Sequence, residues 1–101
     1  MLQPSAFEGW STVVEDAKTL GKQILVSGIE VHREQLGTEH PCYIDTYDAE
    51  AWARAMLAAW DQGVPGPCLE REARALEQMR LRSLELGRHF VQLMKIAMDP
   101  A

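Results

Sequence analysis

The chain reads as an α/β protein with a parallel sheet, and three observations predict this. Two short β-rich runs, "QILVS" at 23–27 and "CYID" at 42–45, are separated and followed by segments of helical period. That alternation is the pattern of parallel strands joined by helices. A stub, "MLQ" at 1–3, precedes a polar loop as the end of a further strand would.

Residues 1–11 are read as a strand end followed by a loop. Thr12 is expected to open the first helix. Thr12-x-x-Glu15 matches a capping box, in which hydroxyl and carboxylate each satisfy a free backbone N–H. Val13, Ala17 and Leu20 recur at helical spacing, and Gly21 is the expected stop. The run 23–27 suits a buried parallel strand. "VHREQL" at 31–36 is expected to form one or two helical turns, and 42–45 a second strand. Asp48 is expected to cap a helix reaching about Gln62, with Trp52, Ala55, Met56 and Ala59 on one face. "GVPGP" at 63–67 breaks the chain firmly. A long helix is then predicted from about Leu69 to Met98. Leu69, Ala73, Leu76, Ser83 and Leu84 lie near one of its faces, which Phe90, Val91 and Met94 continue. Gly87 weakens that helix by ~1 kcal/mol relative to Ala. There is no internal repeat or low-complexity segment.

Composition narrows the function. The 101 residues suffice for one domain or part of one. With 47% apolar and 25% charged residues the chain reads as soluble and globular. A net charge of −5 argues against a nucleic-acid partner, which calls for clustered Lys and Arg. Arg71, Arg74, Arg80 and Arg82 instead alternate with acids, as on a solvated helix face. The longest apolar run, residues 55–60, is far short of the ~20 residues of a bilayer span. The N-terminus lacks the pattern of a signal peptide. Cys42 and Cys68 make neither a disulfide framework nor a metal quartet, and are expected as buried or half-buried thiols in a cytoplasmic protein. His32 and Glu34 provide one histidine and one acid, which is no metal set, and are expected to be structural. His40 and His89 are expected at the surface. The stripes around Trp52/Met56 and Leu84/Val91 are expected as core or docking faces.

The stretch 4–34, "PSAFEGWSTVVEDAKTLGKQILVSGIEVHRE", resembles the signature of glycosyltransferase family 4, the group 1 glycosyltransferases of the GT-B fold. That signature runs Pro-Ser, two residues, Glu-Gly, then a helix with a second acid, Ala, Gly-Lys, and a strand ending near Ser. "YIDTYDAEAWARAMLAAW" is similar to the family's next strand and helix. The resemblance implies the C-terminal half of a Rossmann-like donor-binding domain, with two to three parallel strands, flanking helices and a long C-terminal helix. The first half of that domain, the N-terminal acceptor domain and the Arg/Lys pair that grips the diphosphate would belong to a part not contained in residues 1–101, and that part or another chain is expected to complete the sheet. The implied function is donor-side binding of a nucleotide-diphosphate sugar, for retaining transfer of a glycosyl group to a hydroxyl acceptor. No cofactor or metal is implied, and any peripheral membrane contact would come through the full enzyme.

Residue by residue, the resemblance implies that Glu8 accepts hydrogen bonds from donor-sugar hydroxyls and is the residue closest to catalysis. Gly9, Trp10, Ser11 and Thr12 would face the sugar and diphosphate through backbone N–H groups. Asp16, where the family usually carries Glu, would hold the ribose. Elementary chemistry agrees. A helix N-terminus supplies N–H donors and partial positive charge for phosphate, and a carboxylate can take two hydrogen bonds from vicinal hydroxyls. The implied enzyme is expected to be inactive as the isolated segment. The alternative is a non-catalytic truncated remnant or a helical association module.

Overall fold

The computed structural model describes residues 1–99. Its elements are β1 (Leu2–Gln3), α1 (Thr12–Leu20), β2 (Leu25–Ser27), α2 (Glu30–Leu36), β3 (Tyr43–Ile44), α3 (Ala49–Gln62) and α4 (Leu69–Met98). The three strands form one parallel sheet in the order β1-β2-β3, so the predicted α/β class and strand direction hold. Leu2 and Gln3 pair with Leu25 and Val26, and Val26 and Ser27 pair with Tyr43 and Ile44. The strands are shorter than the β-rich runs because ladder pairing requires a neighbour, and β1 and β3 supply two residues each.

α1 opens at Thr12 as expected, but its cap corrects the sequence reading. Ser11, not Thr12, is the N-cap: its backbone is extended and its Oγ accepts from the Val14 N–H at 3.3 Å. Thr12 is the first helical residue, so the Thr12/Glu15 capping box does not form. Glu15 instead accepts from Lys18 Nζ at 3.3 Å and Gln35 Nε2 at 3.0 Å. Replacing Ser11 with Ala is expected to cost about 1 kcal/mol, whereas Thr12→Ala should stay within about 0.5 kcal/mol. Thermal melts of the two variants separate the assignments.

The other end of α1 follows the prediction. Gly21 takes the left-handed conformation at φ 64°, and the Lys22 N–H returns to the Ala17 carbonyl at 2.9 Å. This turn seats the first part of α4. A Cβ on Gly21 would lie 2.7 Å from the Arg71 carbonyl oxygen, and Lys22 Nζ meets Glu72 at 2.8 Å. Asp48 caps α3 as predicted, accepting from the Ala51 N–H at 2.9 Å.

The core is small: Val14, Ala17, Ile24 and Val26, with Val13, Leu36 and Tyr43 packed around it. It fills the space between α1, α2 and β2. α3 contributes no buried residue, and of α4 only Ala75 is buried. The faces expected around Trp52/Met56 and Leu84/Val91 are therefore not core: Met56, Leu84 and Val91 are exposed. Cys42 is likewise exposed rather than buried, and Cys68 is half-buried. Among the described residues no helix is long and apolar enough to cross a membrane.

Candidate functional site

The loop between β1 and α1 is tied down at both ends by buried polar side chains. Near its start, Ser27 Oγ donates to the Ser5 carbonyl, which also receives Thr46 Oγ1 at 3.4 Å. At its end, Gln35 brackets Ser11: Nε2 donates to the Ser11 carbonyl at 2.9 Å, and Oε1 accepts from the Ser11 N–H at 3.4 Å. Ser11, Ser27, His32 and Gln35 are all buried. Such groups are stable inside a protein because they bond one another. His32 Nδ1 lies 2.9 Å from the Ser27 carbonyl. A carbonyl only accepts, so Nδ1 carries the proton in the neutral ring. The expected structural role of His32 fits this geometry, and Nε2 is buried without a partner among the described residues.

Between these anchors Glu8 is held in one orientation. Its Oε1 accepts from Gln3 Nε2 and from Ser5 Oγ, both at 2.7 Å. Its Oε2 receives no hydrogen bond from the described residues. Glu8 and Gly9 line a recess of about 300 Å³ together with Ala6, Phe7, Ile29, Glu30, Val31 and Glu34. The recess lies beyond the carboxyl ends of β1 and β2, where open α/β sheets bind ligands. Three carboxylates on one small recess suit a neutral polyhydroxyl ligand, which offers O–H donors. They repel phosphate.

The remaining sequence-predicted residues sit around this recess rather than on it. Trp10 is 54% exposed. Thr12 is exposed in the first turn of α1, and neither its N–H nor that of Val13 is taken by a hydrogen bond within the described residues. The Ser11 N–H, by contrast, is engaged by Gln35. Asp16 is exposed on α1. Glu34, read from sequence as structural, is exposed and faces the recess. Gln3, Ser5, Ser27 and Gln35, which fix the loop, were not singled out by sequence. Only the adjacency of Pro4-Ser5 to Glu8 in the signature hints at one of them.

A second polar cluster closes the other side of α2. Arg33 Nε donates to the Gly28 carbonyl at 3.1 Å and its guanidinium stacks 4.4 Å from the Tyr43 ring. Burial pushes the Tyr43 hydroxyl pKa up, with Arg33 opposing. His40 packs against Tyr43 at 5.1 Å between ring centroids and is half-buried, not fully at the surface as expected. Desolvation holds its pKa below the usual value, against a hydrogen bond with the Cys42 backbone.

Comparison with protein families, with curated proteins and with solved structures found no match to this chain. The class defined by the structure is thus a small α/β fold with a three-stranded parallel sheet and a long C-terminal helix.

Proposed function

We propose that residues 1–99 form the donor-side wall of a nucleotide-sugar site, in a retaining glycosyltransferase that transfers a glycosyl group to a hydroxyl acceptor. The observation that carries this reading is Glu8. One of its oxygens is clamped by Gln3 and Ser5, the other carries no bond from the described residues, and the carboxylate sits at the carboxyl ends of two adjacent parallel strands. A sugar in the recess would donate its hydroxyls to Glu8, with Glu30 and Glu34 as further acceptors. The diphosphate, repelled by those acids, would lie toward the N-terminus of α1, where the Thr12 and Val13 N–H groups and the helix dipole favour negative charge. The ribose would reach along α1 to Asp16. In front-face retaining transfer the leaving diphosphate takes the acceptor proton, so this wall needs to bind and orient rather than supply a base.

The experiment is a calorimetric titration of a nucleoside diphosphate into wild type, Asp16→Asn and Asp16→Glu. A hydrogen bond to a charged group contributes ~1.5–3 kcal/mol, so Asp16→Asn is expected to weaken binding roughly tenfold or more. Asp16→Glu, which restores the acid common in the resembled family, should bind at least as well as wild type. Equal affinities for wild type and Asp16→Asn would reduce Asp16 to an acid that merely complements the helix dipole.

A further inference from the structure

The recess beside Glu8 carries charge that the chain leaves unbalanced. Glu8, Glu30 and Glu34 line it, and none of its other lining residues is charged. The side chains of Glu30 and Glu34 make no hydrogen bond or ion pair within the described residues. Arg33, the one Lys or Arg of α2, is engaged elsewhere, on the Gly28 carbonyl at 3.1 Å and over the Tyr43 ring at 4.4 Å. The helix itself gives no reason for this arrangement. Glu30 and Glu34 are four residues apart on α2 and share a face as like charges, which destabilises a helix. Glu30 in the first turn is favoured by the helix dipole, but Glu34 lies in the last turn, where the dipole opposes an acid. Nor do the carboxylates converge on a point: no three acids, histidines or cysteines among the described residues could hold a metal ion. They are spread over the walls of a recess of about 300 Å³. Spaced acceptors of this kind fit a ring with several hydroxyls better than a single ion.

We infer that Glu30 and Glu34 select the sugar by charge: the donor is a nucleotide hexose without an acidic substituent, and hexuronic acids are rejected. The inference rests on the donor-site reading of Glu8. A hexose ring held by Glu8 brings its hydroxyls to the walls, where each O–H finds an acceptor. A hexuronic acid brings a carboxylate there instead, facing three others with no cation among the lining residues. Unfavourable contacts built against the wrong ligand are one of the two routes to specificity. Glu30 and Glu34 are exposed, so salt screens their repulsion over ~10 Å at 0.1 M and the discrimination depends on ionic strength.

The test is calorimetric titration of the full chain at low and moderate salt. Uridine, adenosine and guanosine diphosphates are compared first, and the tightest is then set against its glucose and glucuronic acid conjugates. Wild type is expected to bind the glucose conjugate roughly fivefold or more tightly than the glucuronic acid conjugate at ~20 mM salt, and the ratio should shrink at ~0.3 M. The double variant Glu30→Gln, Glu34→Gln should bind the glucuronic acid conjugate more tightly than wild type and bring the ratio to within about twofold. A gain of affinity separates charge selection from a structural role, whose loss would only weaken binding. Glu70→Gln with Glu85→Gln, on α4, makes the same change in net charge away from the recess and should leave the ratio as in wild type. Equal affinities of wild type for the two conjugates, or a Glu30/Glu34 variant with no gain, would overturn the charge selection while leaving the donor reading in place. Failure of all three diphosphates to bind would remove the donor reading, and this inference with it.

Discussion

Gly21→Val is expected to be the most destabilising single change in this chain, by on the order of 3 kcal/mol. Two costs add. Gly21 sits at φ 64°, where a β-branched residue pays about 1–2 kcal/mol. Its new Cβ would then lie 2.7 Å from the Arg71 carbonyl oxygen and 3.2 Å from the Ala75 Cβ, contacts that require α1 and α4 to separate. Ala75 is the one buried residue of α4 among the described residues, so separation exposes the main apolar anchor of the long helix. For a domain of this size, 1 kcal/mol shifts Tm by roughly 4–8 °C, so a drop above about 10 °C is expected. Gly21→Asn separates the two costs, because Asn tolerates the left-handed region but still carries a Cβ. It should fall between wild type and Val. Lys22→Ala is the contrasting control. It removes an ion pair whose side chains are 43% and 35% exposed, and such pairs contribute about 0–1 kcal/mol. A Gly21→Val chain that melts like wild type would mean that α4 is not seated on α1 through this turn.

The same turn shows what the sequence made legible. Gly after the last apolar residue of a nine-residue helix is a local signal, and local signals translated well: the Gly21 stop, the Asp48 cap and the long helix from Leu69 all stand where the sequence put them. Thr12 is also the first residue of α1 as expected, but its cap is not the one expected. Ser11 and Thr12 are adjacent and both can cap. What chooses Ser11 is Gln35, 24 residues away, which bonds both its N–H and its carbonyl. Glu15 is diverted from the cap by the same Gln35. Nothing within a few residues of Thr12 reports this. The candidate site has the same division. The motif singled out Glu8 as a candidate but not its surroundings: Gln3 is a neighbour five residues away that the motif does not include, and Glu30 and Glu34 are brought alongside on α2, which follows β2. Periodicity likewise gave the apolar faces of α3 and α4 without saying whether anything covers them. A hydrophobic stripe identifies which side of a helix avoids water, and the partner is a property of the rest of the fold.

If the site is the proposed donor site, Glu8→Gln is expected to abolish its preference for a sugar-bearing nucleotide while leaving the fold intact. The amide keeps an Oε1 that can accept from Gln3 Nε2 and Ser5 Oγ, so the clamp seen at 2.7 Å on each side survives. Tm should therefore move by no more than a few degrees. The outward group changes in kind. In the proposed site, a carboxylate oxygen that would accept from sugar hydroxyls becomes an NH₂ that only donates. Losing a charge-assisted acceptor costs ~1.5–3 kcal/mol, so a nucleotide hexose should bind roughly tenfold or more weakly. The free nucleoside diphosphate, which on this proposal lies outside the acidic recess, should bind as to wild type. Asp16→Asn should show the opposite signature and weaken both ligands equally. In a longer enzyme carrying this segment, Glu8→Gln should lower kcat/KM by at least the same factor. Glu8→Ala removes the clamp as well, freeing Gln3 and Ser5, and should loosen the loop and weaken both ligands. The deciding quantity is the ratio of nucleotide-sugar to nucleoside-diphosphate affinity. If that ratio is the same in wild type and Glu8→Gln, the recess does not hold the sugar, and the three carboxylates around it are a solvated rim.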